Sequence, residues 1–203
     1  MSVLAGRAIQ KLVLAGDITI TPFSAEQLNP VSYDVTLGEH FKVYRDSVHL
    51  TGSGLPDLNY LTPRQHDKPL FSQGREETFE YIFRYGDSVT LRPGIGYLCH
   101  TREAVGSKHY VPVLDGKSSI GRMFVNVHAT AGFGDPGFVG QWTLEISVVQ
   151  IVTLKIGMRI AQVRFMEIAD HDLGYDLYQG HYGADAIGAV ESRVDQQIKE
   201  HFK

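Results

Sequence analysis

The chain has 203 residues, 43% hydrophobic and 21% charged, with a formal net charge of −4. That length buries a real core without disulfides, and the weakly acidic balance excludes a nucleic-acid coat or a polybasic membrane binder, so no polymeric nucleic acid and no membrane are expected as partners. One cysteine, Cys99, excludes a disulfide framework, and the start "MSVLAGRAIQ" has neither a signal peptide's apolar core nor its cleavage site, which predicts a cytoplasmic protein. In chain order, Leu4, Ala8, Ile9, Leu12 and Val13 recur at helical spacing and stop before Gly16, predicting a short amphipathic N-terminal helix. Short runs rich in β-branched and aromatic residues follow: "SYDVTLG", "HFKVYR", "ETFEYIFRY", "DSVTLRP", "GYLCHT", "RMFVNVHAT", "QWTLEISVVQI" and "MRIAQVRFMEI". Turn residues separate them every ten or so positions, the pattern of a mainly β sandwich or barrel. Residues 51–75 have no clear period and read as an excursion on the same domain. From about Tyr175 the chain is rich in glycine and tyrosine and reads as a tail that must dock to be ordered.

The densest polar chemistry lies in "GKSSIGRMFVNVHATAGFGDPGF". Alternation from Met123 to Ala131 predicts a strand with Lys117, Ser118, Ser119 and Arg122 at its entrance. Gly116 lets the backbone approach a ligand, the serines offer hydroxyls, and the two cations suit phosphate. A capped turn with solvated charges explains the same residues. In "QWTLEISV" the apolar face carries Trp142, Leu144, Ile146 and Val148, which leaves Thr143, Glu145 and Ser147 on the other. Glu145 is then either a solvated glutamate on an outer sheet face or a proton shuttle.

The motifs "PVSYDVTLG", "GKSSIGR", "HATAGFGDPGF" and "TLEI" resemble, in order and spacing, the dCTP deaminases of the trimeric dUTPase superfamily. The likeness runs from about Ser32 to Arg193. It implies one domain over residues 1–203, a distorted β-barrel or jelly roll, and a C-terminal tail from about residue 175 that closes over the site. It also implies a homotrimer with active sites where subunits meet. Zinc cytidine deaminases need clustered cysteines and an H-x-E motif. A single cysteine and nine scattered histidines lack that spacing, so zinc is not expected. His128, inside a matched motif, is expected to support the site.

By motif match Glu145 is the proton shuttle for attack of water at C4 of cytosine. Ser118 and Arg122 hold the water and stabilise developing charge, and Ala131 binds the exocyclic amine through backbone groups. Lys117, Ser118, Ser119 and Arg122 face the phosphates, and Asp135 sits at the deoxyribose as a further catalytic candidate. Ile120, Gly121, Thr143, Leu144 and Gln162 are expected to contact substrate, with Tyr175, His181 and Asp185 reaching the phosphates from the tail. Magnesium is expected on the triphosphate oxygens, not in a protein cage.

The superfamily branch that cleaves on to dUMP and pyrophosphate carries "TAGF" and a later glutamine, and Thr130, Ala131, Gly132, Phe133 and Gln162 match it. Gly132 and Phe133 are expected to leave room for the second water, activated by Asp135 or Glu145. The deaminate-only branch has bulky polar residues there. Two features depart from the pattern. Gly134 stands where an aliphatic residue is usual, and His181 and Asp185 stand where a lysine and a glutamine grip the outer phosphates. The grip is then rebuilt by Tyr178 or Tyr182, or the substrate is dCMP. A dUTPase, whose usual motif has "GRSG", and a non-catalytic binding module are the readings from other classes.

Overall fold

The computed structural model describes residues 2–44, 49–50, 56–57, 78–169, 171–180, 182 and 188–191. The opening helix, α1 (Gly6–Ala15), ends at Gly16, whose φ of 84° lets its N–H and that of Asp17 turn back onto the last carbonyls. Strands β1 (Ile18–Thr21), β2 (Tyr33–Thr36), β3 (His40–Tyr44), β4 (His49–Leu50), β5 (Pro56–Asp57), β6 (Thr78–Ile82) and β7 (Ser88–Leu91) follow. The second half holds β8 (Tyr97–Ser107), β9 (Tyr110–Gly116), a single helical turn α2 (Ser118–Gly121), β10 (Val125–Asn126), β11 (Val139–Val148), β12 (Val152–Lys155) and β13 (Arg159–Glu167).

All pairings among the described strands are antiparallel. The largest sheet runs β10-β11-β8-β3-β6 with β1 added to β8; β2-β13-β9 and β12-β7 form two more, and β4 pairs β5. Their inner faces meet in one apolar core that includes Ile9, Tyr33, Phe41, Leu91, Leu114, Leu144, Ile146 and Phe165. The mainly β reading and the N-terminal helix therefore hold. Of the 51–75 excursion only Pro56–Asp57 is among the described residues, while His181 and Asp185 lie outside them.

One expected strand fails. Between Met123 and Ala131 only Val125 and Asn126 pair, against Val148 and Ser147. Phe124, at φ 55°, breaks the extended run, and α2 folds the polar cluster onto a helical turn just before it. Alternation survived in the burial of Val125 and Val127 because the segment still lies on the core. Hydrogen bonding, not burial, is what it lacks.

Strand β2 is buried on both faces: Tyr33, Asp34, Val35 and Thr36 are all within 9% exposure. A carboxylate there must be paired. Asp34 is 1% exposed and accepts from Asn29 Nδ2 at 2.7 Å and from the Lys117 ammonium, with Arg159 Nη1 3.5 Å away. Glu103 on β8 is satisfied by neutral donors instead, accepting from the backbone N–H and hydroxyl of Thr36 and from Gln27 Nε2.

Candidate active site

A cavity of about 480 Å³ opens between β11, the 131–138 turn and the described part of the tail. Glu145 and Thr143 reach it because strand alternation sends Leu144 and Ile146 into the core. Trp142, buried in phase with Leu144, borders it as well. Opposite it β8 bulges, since Gln141 pairs Ala104 while Thr143 pairs His100, and the Trp142 N–H donates to Thr101 Oγ1 at 3.0 Å.

The turn is stitched to β9. Leu114 N–H donates to the Gly132 carbonyl at 2.6 Å, Gly134 N–H donates to the Pro112 carbonyl at 2.9 Å, and Val113 bridges Phe133 between them. Phe133 is thereby held outward, 60% exposed, on the cavity wall. Gly132 is pressed inward: a Cβ there would lie 2.5 Å from the Leu114 carbonyl oxygen and 3.1 Å from His128 Nε2. The space on the Cβ side of Gly132 is filled by β9 and His128, so Gly132 closes the turn onto β9.

Gly134 has an equally concrete cause. A Cβ would lie 2.7 Å from the Trp142 ring and 3.0 Å from Pro112, so the indole occupies the volume that an aliphatic residue would need. The indole N–H is fixed on the Val105 carbonyl at 3.1 Å. Phe138 packs edge-on against both Trp142 and Tyr178, with ring centroids 5.8 Å apart in each pair. Asp135, next to Gly134, lines the same cavity.

Glu145 is half-buried, and its Oε2 accepts the Ala129 N–H at 3.0 Å. That bond fixes one oxygen and aims the carboxylate from the strand toward the turn. Behind it, burial together with the Glu145 charge pushes the Cys99 thiol up, so this cysteine stays protonated and unreactive. Of the expected site residues, Glu145, Asp135, Ala131, Phe133 and Thr143 come together in the cavity, with Tyr178 and Tyr182.

Others do not. Ser118, Ser119, Gly121 and Arg122 are exposed on α2 and do not line this cavity. Ile120 and Leu144, 3% and 0% exposed, are core side chains, so they could meet a ligand only through their backbone. The Lys117 ammonium is engaged by Asp34. Gln162 accepts from the Ser32 hydroxyl and donates to the Gly116 carbonyl, both at 2.8 Å, bracing the start of α2 from β13. Tyr175 donates its hydroxyl to the Lys108 carbonyl at 2.8 Å, at the β8–β9 turn. His128 is half-buried against Gly132, its Nδ1 without a partner among the described residues.

The described tail docks on β11. Tyr178 N–H donates to the Pro136 carbonyl at 2.8 Å, Gly188 N–H to Gln141 Oε1 at 2.7 Å, and Val190 N–H to Thr143 Oγ1 at 3.1 Å. Glu191 then pairs with Lys42 at 2.9 Å and accepts from Thr78 Oγ1 at 3.1 Å. The carboxyl of Glu191 sits below its ordinary range; burial opposes ionisation, and the Lys42 and Thr78 contacts outweigh it. Sequence reasoning passed over Gln141, Phe138, Val190 and Leu98 as cavity residues.

A family model described as dCTP deaminase-like matches residues 3–168. A dCTP deaminase, dUMP-forming, of Clostridium botulinum is 36% identical over 176 residues, covering 87% of each chain. One of Hathewaya histolytica is 34% identical over 201 residues, 99% of this chain and 98% of its own. The crystal structure of the 2'-deoxycytidine 5'-triphosphate deaminase from Agrobacterium tumefaciens shares the fold at TM-score 0.56 and 21% identity, over 80% of this chain and 47% of that one. With a model matching residues 3–168 and relatives at 34–36% identity over 87–99% of its length, the chain belongs to the dCTP deaminase-like family.

Proposed function

We infer that this protein deaminates dCTP hydrolytically and cleaves the product in the same site to dUMP and pyrophosphate. The observation that carries the reading is Glu145: an oriented, half-buried carboxylate on the wall of an aromatic cavity, in a chain of this family. In the first step a water oxygen bonds to C4 of cytosine while Glu145 takes its proton. Glu145 passes that proton to N3, giving a tetrahedral intermediate; it then carries the proton of the new C4 hydroxyl to the amine, the C4–N bond breaks as the C4 carbonyl forms, and ammonia leaves. Among the described residues no three His, Cys, Asp or Glu side chains come together as metal ligands would, and the reading assigns the proton work to this carboxylate.

The cavity lining described holds two carboxylates, Glu145 and Asp135, and no lysine or arginine. A triphosphate bound there needs cations from elsewhere, and α2 carries Arg122, Ser118 and Ser119 on an exposed surface. The reading is therefore a homotrimer in which α2 of one copy completes the cavity of another. Magnesium enters on the substrate's phosphates. In the second step a water oxygen attacks the α-phosphorus, pyrophosphate leaves, and Asp135 or Glu145 accepts the proton.

The same shortage of cations favours a second reading, dCMP as substrate. Supplying purified protein and magnesium with dCTP, dCMP or dUTP in turn, and separating the products by chromatography, decides between them. Consumption of dCTP with formation of dUMP supports the first reading. Consumption of dCMP alone supports the second, and turnover of dUTP alone would make the protein a dUTPase.

A further inference from the structure

Helix α2 is a single turn, Ser118–Gly121, too short to hold an orientation by its own hydrogen bonds. Its core contact is Ile120, 3% exposed, which pins one face and leaves its tilt to other ties. Among the described residues two such ties stand out, both at its start. The Gly116 carbonyl is held by Gln162, and the Lys117 side chain folds back onto Asp34.

The two ties belong to one row of the β2-β13-β9 sheet, in which Asp34 pairs Gln162 and Gln162 pairs Asp115. Asp34 is the end of that row, and its side chain is 2% exposed. A buried carboxylate held by two cations and an amide is rigid, because every departure leaves a charge without a partner. Asn29, Lys117 and Arg159 surround it. Lys117 is thus the side chain that ties this rigid point directly to the turn that presents Ser118 and Arg122, beside the Gln162 bond to Gly116.

We propose that Asp34 is a positioning residue of the active site: by holding the Lys117 ammonium it fixes α2, and so the placement of Ser118 and Arg122. The proposal rests on the reading of α2 as part of the site. It gives Lys117 a structural duty in place of free phosphate binding and leaves Arg122 as the cation α2 offers to an anion.

A double-mutant cycle of Asp34→Asn and Lys117→Met tests it, with two measurements on each protein. One is kcat and KM for dCTP, well below the melting temperature. The other, without nucleotide, is amide hydrogen exchange at Ile120, Gly121 and Arg122, whose N–H groups bond to Lys117 and Ser118 carbonyls. Asp34→Asn should speed exchange at these amides and lower kcat about ten- to a hundredfold, more than it changes KM. The double variant should be no worse than the worse single variant, because both break one link.

Effects that multiply in the double variant overturn the proposal, as do unchanged exchange and kcat in Asp34→Asn. Should Asp34→Asn fail to fold, Lys117→Met decides: faster exchange at the three amides supports the link, and unchanged exchange refutes it. A wild-type protein that leaves dCTP untouched would refute the functional reading alone, since the exchange measurement needs no substrate.

Discussion

Replacing Glu145 by glutamine keeps its shape and its contact to the Ala129 N–H but removes its ability to take a proton. Deamination should fall by at least about two orders of magnitude while nucleotide binding, read by equilibrium dialysis, survives. Near-normal turnover would remove Glu145 from the mechanism. Gly134 and Trp142 make a second test, of packing. Trp142→Ile alone empties volume beside the cavity and should cost about 2 kcal/mol, and Gly134→Ile alone drives a side chain into the indole and should cost about as much. Together the two changes exchange one bulk for another. Denaturant unfolding should give a coupling of at least about 1 kcal/mol in favour of the double variant. Simple additivity would mean that the indole is not what forbids a side chain at 134.

At the scale of elements, the turn that leads from β10 into β11 separates a backbone duty from a cavity duty. Gly132→His must displace the Leu114 carbonyl or His128, so it should destabilise the fold by about 1–3 kcal/mol or more, seen as a lower melting temperature. Phe133→Ala removes a ring that is 60% exposed and should leave stability within about 0.5 kcal/mol. Any change in product that Phe133→Ala causes therefore reads the cavity and not the fold. An unaltered melting temperature for Gly132→His would show that the contact with β9 is dispensable.

These elements also show what the sequence could tell. Strands such as β11 and β13 were legible because one face is buried and period two is a direct consequence of the pleat. The run after Arg122 mimicked that period, but a left-handed residue at Phe124 removed the pairing, and apolar alternation carries no information about φ. Glu145 could be found as an acid on the non-core face, and Asp135 only through its motif. Asp34 was hidden inside a run read as ordinary strand: its importance comes from burial on both faces of β2, which depends on which sheets pack there.

For the whole molecule, His100 links stability to pH. It is 3% exposed, its Nδ1 lies 2.8 Å from the Thr101 carbonyl, and its Nε2 accepts the His40 N–H at 3.3 Å. Burial lowers its pKa from 6.5, the Thr101 bond working against that and the neighbouring His40 with it, while Glu39 and Arg102 act in opposite senses. Above the unfolded value both states are neutral and this group contributes nothing. As pH falls through about 6.5 the unfolded chain takes up a proton that the folded chain refuses, so stability falls, by at most about 1.4 kcal/mol per pH unit from this residue. Urea unfolding between pH 7.5 and 5 should show the loss, and His100→Gln should flatten it; an equal slope in the variant would place the linkage elsewhere.

Light scattering should give a particle close to three times the 22.6 kDa chain if the proposed homotrimer forms; the cavity of one copy holds Glu145 and Asp135 while Arg122 and Ser118 lie outside it, which calls for a second copy. A stable and active monomer would contradict a site completed by a second copy. The most direct test of the chemistry is a time course of the wild-type protein with dCTP and magnesium, resolving dCTP, dUTP and dUMP by anion-exchange chromatography and measuring ammonia and pyrophosphate alongside. The account predicts ammonia, dUMP and pyrophosphate rising together in equal amounts with little dUTP at any time. Stoichiometric release of dUTP that is not consumed, or dCTP left intact, would contradict it.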